Sequence, residues 1–331
     1  MSPHPLPELP LEDAMEGVLP LPQWGVIRAQ GADARSFLHG QLTQDVLGLT
    51  PDIARLAGYC SVKGRLIASF VMWSPMPETE TDTVYLACSA DLLPATLKRL
   101  SMFVMRSKCK LSDASAELPL WGLAGAALVL AAGGAADLPA WTVQPLNGGT
   151  LVRLPDAQVD AQVDPTRTLP RWLFAAPPGA TAPSGPALHP STWQYLEAAS
   201  GVVRIVAATS EQFVPQMVNF ELVGGVNFQK GCFPGQEVVA RSQYRGTLKR
   251  RAQLLTSTVP PQAGQEVFHS ADPGQPAGLV ALAGQRPDGL HAALVELKLA
   301  ALGSGSLHLG AAEGPLLQPA ALPYTLPTEA A

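Results

Sequence analysis

The stretch KGCFPGQEVVARSQYRGTLKRR, residues 230–251, sets Cys232 between Gly231 and Gly235, with Lys230 just before, and carries six basic residues against one acid, Glu237. The two glycines permit a backbone path that side chains would obstruct. From Gly235 onward GQEVVARSQY predicts a helix whose inward face is Val238, Val239 and Ser242. A thiol just ahead of a helix N-terminus feels unpaired N–H groups and the positive end of the helix dipole, and Lys230 adds a full charge. That surrounding favours a thiolate at Cys232. The same spacing also suits a small apolar cysteine buried in a tight loop, and the residues alone do not choose between the two. Arg241, Arg245, Lys249, Arg250 and Arg251 carry a similar pair of readings. They suit an anion site for a carboxylate or phosphate tail, or a solvated helix face followed by a strand edge.

Several chemistries are disfavoured at once. The four cysteines, Cys60, Cys88, Cys109 and Cys232, form no CxxC pair and no Cys/His cluster at metal-ligand spacing, so they read as reduced thiols with no metal site. A single cysteine cannot hold an iron–sulfur cluster. With a net charge of −5 and only 15% charged residues, the chain has no overall basic field to recruit nucleic acid. Aromatic interleaving in the basic run is limited to Tyr244, which disfavours direct RNA contact there. The segment LWGLAGAALVLAAGGAA, residues 120–136, falls short of the roughly 20 strongly apolar residues that a bilayer requires. It reads as a strand entering a buried helix. The first residues lack a basic start followed by an apolar run, so a cytoplasmic protein with no membrane partner is expected.

Proline and glycine punctuate the elements that must hold these residues. Residues 1–20 read as a flexible Pro-rich arm. An N-terminal α+β lobe is expected over 21–115, with a strand at WGVIRAQ, a short helix at GADARSFLHGQL and a strand pair turning at Lys63 and Gly64. Leu93, Leu97, Leu100 and Val104 mark one buried helix face, which sends Lys98 and Arg99 outward. A second α+β lobe over 116–245 carries KGCFPGQE. Within it residues 155–190 read as a long surface loop, and HPSTWQYLEAASG as a helix with Ser191 and Gln194 as capping box and Gly201 as stop. After the boundary near residue 246, short β runs separated by PPQAGQ, SADPGQP and RPDG predict a C-terminal β-barrel over 246–331. The fold class is α+β: two mixed sandwich lobes plus a barrel.

KGCFPGQE resembles the KGCxxGQE signature of the YgfZ family of folate-binding proteins, relatives of the glycine-cleavage T-protein. FLHGQLTQDV (37–46) resembles that family's FLxGQxTxDV, YCSVKGRLIASF (59–70) its strand–turn–strand, and FVPQMVNFELVGGVNFQKGC (213–232) the run into the signature. LPYTL near the C-terminus fits as well. The resemblance implies a T-protein-like arrangement of three domains around a central channel that holds tetrahydrofolate or a related reduced folate. Trp24 and Trp193 match the two tryptophans that line the folate site, although each also suits a core role. The resemblance further implies an accessory protein that supports iron–sulfur enzymes or their assembly machinery, with an indirect effect on tRNA modification, and with Cys232 and Lys230 as functional side chains.

Departures from the pattern matter too. The T-protein enzymes carry an aspartate pair where this chain has Ala68 and Ser69, which disfavours aminomethyltransferase activity. Some relatives place a pteridine-pairing glutamate where this chain has Met217, leaving Asn219 and Glu221 as substitute polar contacts. The rival expectation is a folate-dependent one-carbon transferase, for which Glu237 and Glu221 are the acids beside the signature that could serve as general base.

Overall fold

The computed structural model describes residues 10–75, 82–160, 164–244 and 248–327. The first nine residues of the expected arm, Arg245 and the boundary expected near 246 lie outside the described residues. Three sheets organise the described residues. In chain order the strands are β1 (Gly17–Pro20), β2 (Trp24–Gln30), β3 (Arg55–Cys60), β4 (Leu66–Trp73), β5 (Thr83–Ser89), β6 (Lys110–Asp113), β7 (Leu120–Ala124), β8 (Val143–Leu146), β9 (Gly149–Asp160) and β10 (Asp164–Ala175). Then follow β11 (Arg250–Ser257), β12 (Glu266–His269), β13 (Asp272–Gln285), β14 (His291–Lys298), β15 (Leu307–Leu309) and β16 (Leu316–Ala320). The helices are α1 (Ala34–His39), α2 (Leu93–Val104), α3 (Ala126–Ala131), α4 (Pro190–Ala199) and α5 (Gln236–Tyr244).

One five-stranded sheet runs β3-β4-β5-β2-β6, the other β1-β7-β10-β9-β8, and β11 to β16 close into a six-stranded barrel. The α+β class and the C-terminal barrel match the expectation. Strand β4 is buried along all eight residues, the pattern of a strand covered on both faces.

Two expectations need correction. Residues 17–20, assigned to a loose arm, form β1, which pairs antiparallel with β7 of the second sheet. Val18 and Leu19 are buried there, so their apolar side chains outweigh the flanking prolines. Residues 155–160 and 164–175 are not surface loop but belong to two long strands, in which β10 pairs with β9 with two register shifts. Two of their prolines, Pro155 and Pro170, fall within the shift between Leu169 and Arg171, where the ladder tolerates a missing donor.

Smaller adjustments follow. The segment after Leu120 does turn from β7 into α3, but α3 buries only Val129 and exposes Leu130. Helix α4 is capped by His189, whose ring accepts from the Ser191 N–H, rather than by Ser191, and it stops at Gly201 with φ +69°. No helix among the described residues is long and apolar enough to cross a membrane.

Candidate functional site

Helix α4 is clamped between layers. A Cβ on Gly284 of β13 would lie 2.0 Å from the Tyr195 nitrogen, and one on Gly122 of β7 would lie 2.8 Å from the Trp193 ring. The missing side chains at those two glycines let the helix touch the barrel on one side and the second sheet on another. Trp193 is fully buried in that contact. The remaining face of α4 turns Glu197 toward a cleft between the two sheets.

That cleft encloses about 420 Å³ including its open mouth. Its walls come from Trp24 of β2, Ser69 and Phe70 of β4, Trp141, Arg171 of β10, and Glu197 and Arg204 around the end of α4. Arg204 holds Glu197 in a two-pronged ion pair, with Nε 2.9 Å from Oε1 and Nη2 3.1 Å from Oε2. The same guanidinium donates to Ser89 Oγ at 2.6 Å and lies 5.0 Å from the centre of the Trp24 ring. Cation–π contact and hydrogen bonds thus fix one tryptophan face, one carboxylate and one cation as a rigid set.

Arg171 is wholly enclosed. Burial pushes its guanidinium down to about 10, with the Glu197 carboxylate working the other way. It sits 5.4 Å from the Trp193 ring and reaches the cleft on its other side. Trp193 therefore supports the wall from one layer behind, while Trp24 lines the cleft directly. The buried Nε1 of Trp24 has no partner within the described protein, nor has that of Trp193. An orphaned indole donor at a cleft wall is suited to an acceptor on a bound molecule.

Ser69 lies in the cleft wall, where its hydroxyl accepts from the Ile205 N–H at 2.9 Å, and Ala68 is buried in the core. Glu197 is then the one carboxylate among the lining residues. Sequence reasoning passed over Glu197, Arg204 and Arg171. The signal was available for Glu197: an acid at the fourth position after Trp193 falls on the side of α4 next to that anchor.

Asn219 and Glu221 stand elsewhere. The Arg251 Nη1 donates to Asn219 Oδ1 at 3.1 Å and to Glu221 Oε1 at 2.8 Å, and Asn219 Nδ2 donates to the Ala252 carbonyl and the Tyr324 hydroxyl. This buried knot ties the second lobe to the barrel, and neither residue lines the cleft.

The signature forms a separate cluster. Asn219 leads through the glycines at 224 and 225 to Lys230, whose Nζ donates to the carbonyls of His39, at the end of α1, and Leu42, the latter at 2.7 Å. Burial pushes this ammonium down to about 8, with Asp45 and Cys232 pulling the opposite way. His39 Nδ1 lies 3.1 Å from Asp45 Oδ1, and burial together with Lys230 lowers its pKa. Two of the sequence motifs, FLHGQLTQDV and KGCFPGQE, are therefore stitched together by Lys230. A third, the KGR turn, meets the signature through glycine alone. Gly64 (φ +71°) and Gly235 (φ +77°) touch backbone to backbone, and a Cβ on Gly235 would fall 2.3 Å from the Ser61 oxygen.

Cys232 is exposed on this cluster, ahead of α5, and it does not line the cleft between the sheets. The choice left open by the sequence is decided against the buried-cysteine reading. Among the basic residues, Arg241 pairs with Glu237 at 2.8 Å on an open helix face, Arg250 pairs with Glu296, and Arg251 is the buried knot above. Three of the expected anion ligands thus have carboxylate partners of their own.

No family model matches the chain. The chain is 30% identical over 246 residues to the tRNA-modifying protein YgfZ of Photobacterium profundum, covering 71% of this chain and 68% of that protein. Proteins of the same name from Sodalis glossinidius (27% over 304 residues, 87% and 85% covered) and Klebsiella pneumoniae strain 342 (29% over 290 residues, 82% of each) are also similar. Among solved structures, the glycine cleavage system aminomethyltransferase T of Bartonella henselae superposes with a TM-score of 0.64 over 96% of this chain and 90% of its own, at 16% identity. That likeness shows the T-protein-like fold expected from the motifs.

Proposed function

The chain belongs to the family of the tRNA-modifying protein YgfZ, and from that premise we propose that it binds a reduced folate in the cleft between its two sheets and acts as an accessory protein to iron–sulfur enzymes. The observation that carries the reading is the rigid set of Trp24, Glu197 and Arg204. A pterin is a flat heteroaromatic ring with an amino group and ring N–H donors along one edge. Such a ring wants an aromatic wall and a carboxylate that can accept two hydrogen bonds. Trp24 supplies the wall, its orphaned Nε1 a donor, and Glu197, already oriented by Arg204, the acceptor. Trp193 contributes by holding Arg171 in place.

When bound, a reduced folate would supply a one-carbon carrier and an oxidisable ring; the residues of this chain bind it, orient it and exclude water from its edge. In the accessory role Cys232, exposed ahead of α5, is the side chain within reach of a large partner, and Lys230 braces the loop from behind through the His39 and Leu42 carbonyls. An effect on tRNA modification would then be indirect, through modifying enzymes that need a cluster. The alternative, a one-carbon transferase, lacks support at the residues it requires. Glu221 is locked to Arg251 outside the cleft, and Glu237 is an exposed partner of Arg241.

Titration of the purified protein with tetrahydrofolate, followed by tryptophan fluorescence, tests the binding step. Quenching is expected with a micromolar midpoint, weakened about tenfold or more by Trp24→Ala and by Glu197→Gln, since a charged hydrogen bond contributes about 1.5–3 kcal/mol. Quenching that persists unchanged in both variants would remove the cleft as the folate site. For the accessory role, Cys232→Ala is introduced into a strain lacking the protein and cluster-enzyme activities are assayed; full rescue sinks the part assigned to the thiol.

A further inference from the structure

We infer that the C-terminal end of α2 and the turn after it form a docking surface for an acidic face of a partner protein, with apolar side chains at its centre. Residues 98–110 contain five basic side chains and no acid, in a chain whose net charge is −5. Lys98, Arg106 and Lys108 are exposed. Between them stand three large apolar side chains in water: Met102 is 63% exposed, Phe103 49% and Met105 86%. The inner face of α2 is satisfied by Leu93, Thr96 and Leu100, so this outer cluster belongs to no core.

The backbone gives a second, independent sign. Met105 adopts φ 44° and ψ −105°, a conformation that an L residue with an unbranched side chain pays to hold. The strained residue is also the most exposed large hydrophobic of the described chain. Strain and solvent exposure are both unfavourable in isolation, and both are offset if a partner covers the tip.

Charge and shape select the partner class. Overall negative charge opposes the approach of a long polyanion such as RNA or of an anionic bilayer, each of which repels the whole molecule. A protein with a matched local patch meets only the cationic rim. Two thioethers beside one ring adapt to apolar knobs, whereas stacking of bases wants several aromatics. The geometry is that of a small interface with apolar anchors inside a charged border. It is independent of the folate cleft, to which none of these residues contributes a wall.

The test uses the full chain and a fluorescein-labelled amphipathic helical peptide with Leu and Phe on one face bordered by Glu, read by anisotropy. Its Gln-for-Glu counterpart, bulk tRNA and phosphatidylglycerol vesicles are titrated alongside. The acidic peptide is expected to bind, and raising NaCl from about 50 to 300 mM, which shortens the screening length, should weaken it several-fold. Met102→Ser/Phe103→Ser and, separately, Arg106→Glu/Lys108→Glu should each weaken binding about tenfold. Neither pair supports a core, so the tetrahydrofolate titration of both variants should match the parent and separates a failure here from a failure of the folate reading. Equal binding of the Gln counterpart, no effect of either variant, or capture of tRNA or vesicles in place of the peptide overturns the inference.

Discussion

A thiol's usefulness depends on whether it can ionise where something can reach it, and the four cysteines of this chain divide on that point. Burial alone pushes the Cys60 thiol up to about 12, and Cys88 likewise, with Arg204 offsetting only part of the cost. Cys109 is half-buried and is also raised, by burial first and by Asp33 second. Cys232 alone among them is exposed. Because the thiolate is the species that alkylates, iodoacetamide at pH 7.5 under native conditions is expected to label Cys232 first, with Cys60 and Cys88 modified only after denaturation. Peptide mapping by mass spectrometry reads the order. Early labelling of Cys60 or Cys88 would show that the first sheet opens more readily than its packing implies. The contrast was half legible in the sequence: glycines around Cys232 pointed to a special backbone, but exposure depends on which segment covers the loop, and none of its neighbours in sequence reveals that.

At the scale of elements, the site regions are held by places where side chains are missing. Gly64 and Gly235 both sit in the left-handed region, and they bring the KGR turn and the signature loop into backbone contact. Replacing Gly235 by Ala imposes a left-handed conformation on an L residue, about 1–2 kcal/mol, and drives a Cβ to 2.3 Å from the Ser61 oxygen and 2.6 Å from Gly64. No flexible side chain can give way there. Gly235→Ala is therefore expected to lower stability by about 2–4 kcal/mol, visible as a drop in Tm of several degrees and in faster loss of the native Cys232 labelling pattern. A variant with unchanged Tm would contradict this contact. Glycines of this kind were readable as turn signals in KGR and PGQ. What could not be read was their mutual contact, because Gly64 and Gly235 are joined by packing across 171 residues of chain. The pair β9 and β10 shows the reverse failure: its prolines imitate a loop, whereas cross-strand pairing and the register shifts absorb them.

Across the whole molecule the same division holds between what pattern reveals and what only assembly creates. Strand alternation and turn residues gave away the barrel, and the motifs gave away the two lobes, but the cleft is made from β2, β4, β10 and α4 together, so Glu197 had no local signature as a ligand. Asn219 and Glu221, chosen because they lie in a family motif, turn out to fasten lobe to barrel through Arg251 and Tyr324. The Glu221 and Arg251 side chains are only 6% and 8% exposed, so the charges are paired away from water. Removing one partner of such a pair leaves the other uncompensated and costs about 3–5 kcal/mol, whereas replacing both with apolar groups is far milder. Arg251→Met is accordingly expected to destabilise by that amount at pH 7, and Arg251→Met/Glu221→Leu to recover most of it, both read by urea unfolding. The pH dependence has a definite sign. Burial already holds the Glu221 carboxyl above its ordinary 4.5 despite Arg251, and losing the guanidinium raises it further. A carboxyl raised in the folded state favours the native protein fully below its unfolded value, and that contribution is lost as pH rises through the folded value. The deficit of Arg251→Met should therefore shrink as pH falls from 7 toward about 4.5, and the double variant should show no such trend. A deficit independent of pH would mean that the knot acts through packing and shape, with the buried charge already screened by solvent that enters between lobe and barrel.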